Sequence, residues 1–515
     1  MRFRTRLTVL AATLLLVATA CSGGDGVDVD GGGGGGGDAD GSGGGQLVAA
    51  IAAEPDQLDP HKTTAYASFQ VLENVYDTLV QPDENLDMVP ALAESWETSD
   101  DQLTWTFKLR DGVTFHNGDP LTAEDVVFSY NRIIDEELAN SYRFEAIESV
   151  EATDDLTVEI KLKRPTPSLL AQIGAFKGMA IVHEQNVTSG AVTRNPIGTG
   201  PFKMESYTSG DSIQLAAYQD YWGDAPGLAS VRYTFVSEPS VALANLQSGQ
   251  VQWTDNLPPQ QVASLEGQDS IEIGRVPSND YWYFATNQAR KPFDDPRVRQ
   301  ALAWAIDRES ITEAAKFGLA TMNQTAIPET SKWYYDYAPF EQDPGRAKQL
   351  LQEAGATNLT VDMMVTNEFP ETIQAAQVMA SQLDAVGVTL NIRTEDFATW
   401  LDQQSQGNFD AFMLGWLGNI DPDDFYYSQH HSSGSNNYQK FQNQEVDMLL
   451  DEARTETDQE SRKDLYDQAV KIIVDEASYT YLYNPEVVQG WSPDLKGYTA
   501  RADRAIRFHE ASLGD

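Results

Sequence analysis

The chain has 515 residues, 35 of them Lys or Arg and 78 Asp or Glu, and its formal net charge is −43 at pH 7. A surface this acidic repels nucleic acid and anionic lipid, so neither is expected as a direct partner. Salt screens the repulsion between like charges, so the acidity predicts adaptation to a salty medium. The alternative is an acidic surface that is solvated and has no such meaning.

The first 45 residues predict export and attachment to a membrane. Residues 1–20 carry three arginines and then a short apolar run that ends in small residues, which is the layout of an export signal. Ala18-Thr19-Ala20-Cys21 resembles the lipobox of bacterial lipoproteins, in which the cysteine is acylated after cleavage. An ordinary secreted protein with a stray thiol is the alternative. Residues 21–45, which are mostly Gly, Asp and Ser after Cys21, predict a flexible tether.

From Gln46 onward, strand-like and helix-like patterns alternate, which predicts an α/β fold of two or three domains. LTWTFKLR, residues 103–110, alternates apolar and polar side chains as a half-buried strand does. A helix is predicted over 122–134, where Thr122 and Asp125 have capping-box spacing. Another helix is predicted to open at Asp295, with proline in its first turn.

Four ordered motifs carry a family resemblance that covers residues 46–515. The chain resembles the family 5 extracellular solute-binding proteins, the dipeptide-, oligopeptide- and nickel-binding receptors of ABC importers. The motifs are PALAESWETSDDQLTWTFKLRDGVTFHNGDPLTAEDVVFSY at 90–130, NPIGTGPFKMESY at 195–207, NDYWYFATNQARKPFDDPRVRQALAWAIDRESI at 279–311 and GWLGNIDPDDF at 415–425.

The resemblance implies a two-lobed clamp of the periplasmic-binding-protein type II kind with an extra inserted domain. Ligand is held between two lobes that are joined by two crossing segments, and it favours closure by binding the closed form better. The implied parts are domain I from 46–82, 191–277 and 486–515, domain II, the insertion, from 83–190, and domain III, the second lobe, from 278–485.

The loop after Trp416 is the ligand site that the resemblance implies. In peptide-binding relatives its backbone pairs with the peptide, and an aspartate three places past the Trp often meets the ligand's ammonium group. Asn419, which carries no charge, stands at that place. Either Asp421 meets the ligand's ammonium group instead, or the ligand lacks that group or keeps it in solvent. Aromatic side chains are expected as stacking walls, with core packing as their alternative role. The expected ligand contacts are Tyr66, Trp282, Gly415, Trp416, Leu417, Asn419, Asp421 and Tyr483.

Other chemistries have weak support in the sequence. His430 and His431 are adjacent and diverge in a strand or a helix, so no protein-made metal site and no cofactor are expected. The glycines of 198–200 lack the Lys-Ser or Lys-Thr pair of a phosphate loop and indicate a tight turn. No hydrolase motif is present, so no catalysis is expected, and a secreted hydrolase is a distant alternative.

The function implied is that of an extracytoplasmic receptor of an ABC importer. We expect it to capture di- or oligopeptides and deliver them to the permease subunits as a monomer without cofactor. Cys21 would anchor it at the outer face of the cytoplasmic membrane, at the cell surface or in the periplasm. Oligosaccharides or a chelated metal are the alternative cargo, because Asn419 removes the most peptide-specific feature.

Overall fold

The computed structural model describes residues 44–176 and 178–514. The predicted signal peptide, Cys21 and nearly all of the tether lie outside these residues. None of the described helices is both long enough and apolar enough to cross a membrane. Strands and helices alternate along the described chain, which confirms the predicted α/β class.

The strands are β1 Gln46–Ile51, β2 Val80–Pro82, β3 Met88–Pro90, β4 Ala93–Thr98, β5 Thr104–Leu109, β6 Ile147–Asp154, β7 Thr157–Leu162, β8 Phe202–Thr208, β9 Ser212–Ala217, β10 Ser230–Phe235, β11 Trp253–Thr254, β12 Glu272–Pro277, β13 Tyr281–Thr286, β14 Ala320–Met322, β15 Leu359–Thr366, β16 Val388–Glu395, β17 Ala411–Trp416, β18 Thr480–Trp491, β19 Leu495–Lys496 and β20 Ser512–Leu513. The α-helices are α1 Tyr66–Leu72, α2 Ala123–Asp135, α3 Leu169–Gly174, α4 Glu184–Thr188, α5 Pro239–Gln247, α6 Pro259–Leu265, α7 Pro296–Ala305, α8 Arg308–Lys316, α9 Pro344–Glu353, α10 Pro370–Asp384, α11 Phe397–Gln406, α12 Pro422–His430, α13 Gln444–Ala453 and α14 Gln459–Asp475.

The local predictions agree with these elements. The predicted strand at 103–110 is β5, whose apolar side chains are buried and whose polar ones are not. The predicted capping box of Thr122 and Asp125 is formed at the start of α2. Asp295 caps α7 by accepting a hydrogen bond from the backbone of Arg297. Each prediction rests on a pattern a few residues long, which is why sequence alone suffices for it.

A long mixed sheet runs through the described residues in the order β16-β15-β17-β13-β18-β11-β1-β10-β9-β8. The long strand β18 is shared between its two halves, since its first residues pair with β13 and its last with β12. The chain also crosses between the halves from β12 to β13. We call the residues from Ser278 to Pro485 the second lobe and the remaining described residues the first lobe.

Each lobe has its own core. Two hydrophobic clusters contain only residues between Tyr281 and Tyr483 of the second lobe. Two more lie entirely in the first lobe, one of them between α2 and the small sheet β4-β5-β7-β6. The chain passes between the lobes at two adjacent segments, where Ser278 donates from its backbone and its hydroxyl to the Pro485 carbonyl at 3.1 and 2.7 Å. The predicted boundaries of the three domains stay a prediction.

Gly198 and Gly200 lie against the backbone that follows α1. A Cβ atom on Gly198 would stand 2.1 Å from the Val75 carbonyl oxygen, and one on Gly200 would stand 2.6 Å from the Val75 carbonyl carbon. The Gly200 N–H donates to that carbonyl at 3.0 Å. His116 braces the same turn, because its ring nitrogen lies 2.9 Å from the Gly200 carbonyl oxygen. The segment is thus a tight structural turn.

We predict that Gly198→Ala lowers the free energy of unfolding by about 2–3 kcal/mol, because the added methyl group overlaps backbone that cannot move aside. Urea unfolding measures the loss. Gly345→Ala is the control: it lies in the first turn of α9, where the nearest atom is the Asp343 carboxylate at 3.2 Å, and it should be neutral or slightly stabilising. Equal unfolding midpoints for the wild type and Gly198→Ala would contradict the packing argument.

Candidate ligand cleft between the lobes

A cavity of about 860 Å³ lies between the two lobes. The first lobe contributes the turn from Glu84 to Met88 and part of α3. The second lobe contributes the loop from Thr330 to Trp333 and the start of α14. The crossing residues 276–279 and the returning segment 499–502 line it as well. Its volume is in the range of small-molecule sites, and both lobes contribute to its wall, so closure and occupancy are physically linked.

The loop that follows β17 borders this cavity and is held in place from both sides. Gly418 has a positive φ of 60° and donates its N–H to the buried Asp280 carboxylate at 2.7 Å. The Asn419 carbonyl accepts from Asn279 at 2.8 Å, and its side-chain amide donates to the Asp424 carbonyl at 3.2 Å. Asp421 then caps α12 by accepting from the Asp423 N–H. The loop is therefore preorganised.

Asp421 forms a buried bidentate ion pair with Arg462. The two guanidinium nitrogens lie 2.7 and 2.6 Å from the two carboxylate oxygens. Burial opposes the charge of Arg462, but Asp421, Tyr466 and Asp423 together outweigh it and raise the pKa of the guanidinium above its ordinary value. Asp421 thus already has a counter-charge. It lines the cavity but does not offer a ligand amine an unpaired carboxylate.

Ion pairs join the two lobes on several sides of the cleft. Arg143 of the first lobe lies 3.1 Å from Asp424 of the second, with both side chains almost fully buried. Lys332 reaches Asp87 at 2.6 Å over the cavity. Near the crossing segments, Arg504 donates to Asp280. The largely buried pairs made by Arg143 and Arg504 are costly to break, so they favour the closed arrangement of the lobes. The exposed pair of Lys332 with Asp87 adds little.

No three His, Cys, Asp or Glu side chains of residues 44–176 and 178–514 are grouped so that they could hold a metal ion. His430 is fully buried and hydrogen-bonded to Ser478 and Tyr481, and burial lowers its pKa to about 3. His431 lies instead beside Asp451, at 3.5 Å. The two histidines have separate surroundings, as their adjacency in sequence predicts.

The sequence profile of the bacterial extracellular solute-binding proteins, family 5 (middle region), matches residues 87–438. The chain belongs to this family. The dipeptide-binding protein of Escherichia coli K12 is 30% identical over 506 residues, which cover 91% of this chain and 94% of that protein. The family resemblance expected from the four motifs is confirmed, and with it membership of a family of extracellular solute-binding receptors.

Solved structures show the same fold for this solute-binding protein. The periplasmic binding protein DppA of Helicobacter pylori, in complex with the peptide STSA, has a TM-score of 0.81 at 28% identity and covers 92% of this chain and 98% of its own. The oligopeptide-binding protein AppA of Bacillus subtilis, in complex with a nonapeptide, has a TM-score of 0.81 at 27% identity, with 92% and 99% covered. The predicted two-lobed clamp is confirmed.

The structure separates the expected ligand contacts of this solute-binding protein. Trp282 and Tyr483 are buried in the second-lobe core, where their rings stack at 6.4 Å. Tyr66 begins α1 in the first lobe and donates its hydroxyl to the Arg504 carbonyl at 3.3 Å. Trp416 is half-buried at the end of β17. Asp421 lines the large cavity, and the ligand contact of the remaining positions, Gly415, Leu417 and Asn419 included, stays a prediction.

Sequence reasoning missed the basic residues between the lobes. Arg501, Arg504 and Arg507 recur at every third position in the segment that returns to the first lobe. In a chain with 78 acidic and 35 basic residues, such a row was a detectable signal. Arg143 had no comparable signal, because its partner Asp424 lies 281 residues away along the chain.

Glu73 lines a second, smaller cavity of about 30 Å³ between the lobes, together with Asp503 and Arg507 of the first lobe and Gly418 of the second. Burial raises the pKa of Glu73 from 4.5 to about 7, and Asp503 adds to that effect. Arg507, Arg501 and the Ile506 N–H act in the opposite direction but do not cancel it. The folded protein therefore keeps a proton on Glu73 that the unfolded chain has lost.

We predict that Glu73→Gln raises stability by less than about 1 kcal/mol at pH 5 and by up to about 3 kcal/mol at pH 8. The sign follows from the raised pKa: wild-type stability falls as the pH rises from about 4.5 to 7, because the unfolded chain releases this proton while the folded state retains it. Urea unfolding at both pH values measures the change. Glu84→Gln, on the exposed turn of the same lobe, is the control. A gain of equal size at pH 5 and pH 8 would contradict this account.

Proposed function

We propose that this protein is the receptor of an ABC importer that captures short peptides in the interlobe cavity and delivers them to the membrane permease. The cavity of about 860 Å³ carries the proposal. A residue in packed β-structure occupies about 160 Å³, from about 3.3 Å of rise, 4.8 Å between strands and 10 Å between sheets. The cavity therefore has room for about five peptide residues by that measure.

The edge of β17 supports peptide capture. β17 pairs with β13 along its whole length, but its pairing with β15 stops at Phe412. Gly415 and Trp416 thus have a strand neighbour on one side only among the described strands. An extended peptide could add to that free side through its backbone, which would make binding tolerant of different side chains. We propose this pairing for the positions from Gly415 to Leu417.

The setting of the receptor is part of the proposal. Acylated Cys21 and the tether of 21–45 would hold a monomeric receptor close to its permease at the outer face of the cytoplasmic membrane. The acidic surface would suit a salty medium. The receptor has no catalytic role in this proposal, because the ligand is passed on unchanged.

We expect native mass spectrometry of the purified protein to release copurified peptides of about two to five residues with varied side chains, the lengths that the cavity holds. The masses and fragment spectra identify them directly. Copurified sugar oligomers or a metal chelate in place of peptides would contradict the proposed cargo and leave the receptor fold intact.

We also predict that Trp416→Ala weakens peptide binding by at least about 2 kcal/mol, because a truncated aromatic anchor loses most of its contact area. Isothermal titration calorimetry with the copurified peptides measures this loss. Trp304→Ala is the matched control, since Trp304 is a half-buried tryptophan of the same lobe that packs on the core away from the cavity. Undiminished affinity in Trp416→Ala would place the ligand elsewhere.

A further inference from the structure

Arg501 is fixed in the wall of the large cavity by hydrogen bonds on one edge of its guanidinium group. Its Nε and Nη2 donate to the two oxygens of Asp503 at 3.1 and 3.0 Å. Nη2 also donates to the backbone carbonyls of Pro82 and Asp83 at 2.9 and 3.0 Å. These contacts leave the side chain 13% exposed and define its orientation.

The opposite edge of this guanidinium has no acceptor in the part of the chain that the structure describes. A guanidinium carries five N–H donors, and the two on Nη1 of Arg501 have no hydrogen-bond partner among the described residues. Asp503 neutralises the charge of Arg501, which is therefore not an uncompensated buried cation. It can nevertheless donate to a second anion through Nη1.

The two other cations that line the cavity are differently placed. Arg462 has committed its nitrogens to Asp421, to the Ala453 carbonyl and to the Tyr466 hydroxyl. Lys332 is half exposed and paired with Asp87 across the lobes. Among the described cations in the cavity wall, Arg501 is thus the one that is held in a fixed orientation and still has N–H donors, those on Nη1, without an acceptor.

We propose that Arg501 binds a carboxylate of the peptide ligand through Nη1. The inference rests on the proposed function and specifies one contact within it. Charge-assisted hydrogen bonds from a guanidinium to a carboxylate are among the stronger polar contacts in proteins, and preorganisation by Asp503 and the two carbonyls lowers the entropy lost on binding. The carboxylate is either the C-terminus of the peptide or an acidic side chain.

The test uses the full-length protein and peptide mixtures of three to five residues built from Ala and Leu. One mixture has free C-termini, a second has the same sequences as C-terminal amides, and a third consists of amides that contain one Glu. Mass spectrometry of the protein after gel filtration counts the peptides retained from each mixture. Wild-type protein should retain free acids, or Glu-containing amides, at least about tenfold over plain amides, the scale of a lost charged hydrogen bond.

Arg501→Gln should abolish this preference, and retention of plain amides by the variant reports that the cleft is folded. Arg501→Lys should keep part of the preference, because lysine retains the positive charge but lacks the planar set of donors of the guanidinium group. Arg232→Gln is the control, on the first-lobe surface, where Arg232 pairs with Asp211; it should keep the full preference.

Equal retention of all three mixtures by the wild type, or an unchanged preference in Arg501→Gln, would overturn the assignment of Arg501 and leave peptide capture standing. Retention of no peptide by the wild type would overturn both proposals. Preference for free acids assigns the C-terminus as the source of the carboxylate, and preference for the Glu-containing amides assigns a side chain.

Discussion

The structure depends on one strand, β18, that belongs to both lobes. Its first half closes the second-lobe sheet and its last half pairs with β12 in the first lobe. The only other crossing among the described residues, from β12 to β13, lies directly beside it, and Ser278 bonds to Pro485 there. Two adjacent extended segments between two separate cores can bend and twist, whereas sliding would break the sheet pairing on one side.

The large cavity lies beside this crossing. Residues 276–279 and 499–502 beside the crossing form part of the cavity wall, so a molecule in the cavity contacts the hinge and both lobes at once. Closure is further favoured by ion pairs across the cleft, such as Arg143 with Asp424. In a chain of net charge −43, such pairs use scarce cations at the surface where the lobes approach each other. A ligand that adds contacts to both lobes shifts the equilibrium toward the closed form.

The elements that sequence patterns predicted well are those governed by neighbouring residues. The alternation in β5 and the caps of α2 and α7 each express a local rule, and the structure shows all three. The roles of the aromatic residues were harder to predict. The alternating pattern around Trp282 is the same whether this side chain faces a core or a cleft. Its stacking on Tyr483 depends on the pairing of β13 with β18, which are distant in sequence. Contacts such as that of Arg504 with Asp280 depend on how distant segments return to the cleft, which no local pattern encodes.

Small-angle X-ray scattering of the purified protein with and without a saturating mixture of short peptides tests the central claim most directly. If two rigid lobes close on a peptide about the β18 crossing, the radius of gyration falls when peptide is added, and the curve with peptide matches the closed arrangement. A radius of gyration that stays the same while peptide is demonstrably bound would contradict the clamp mechanism.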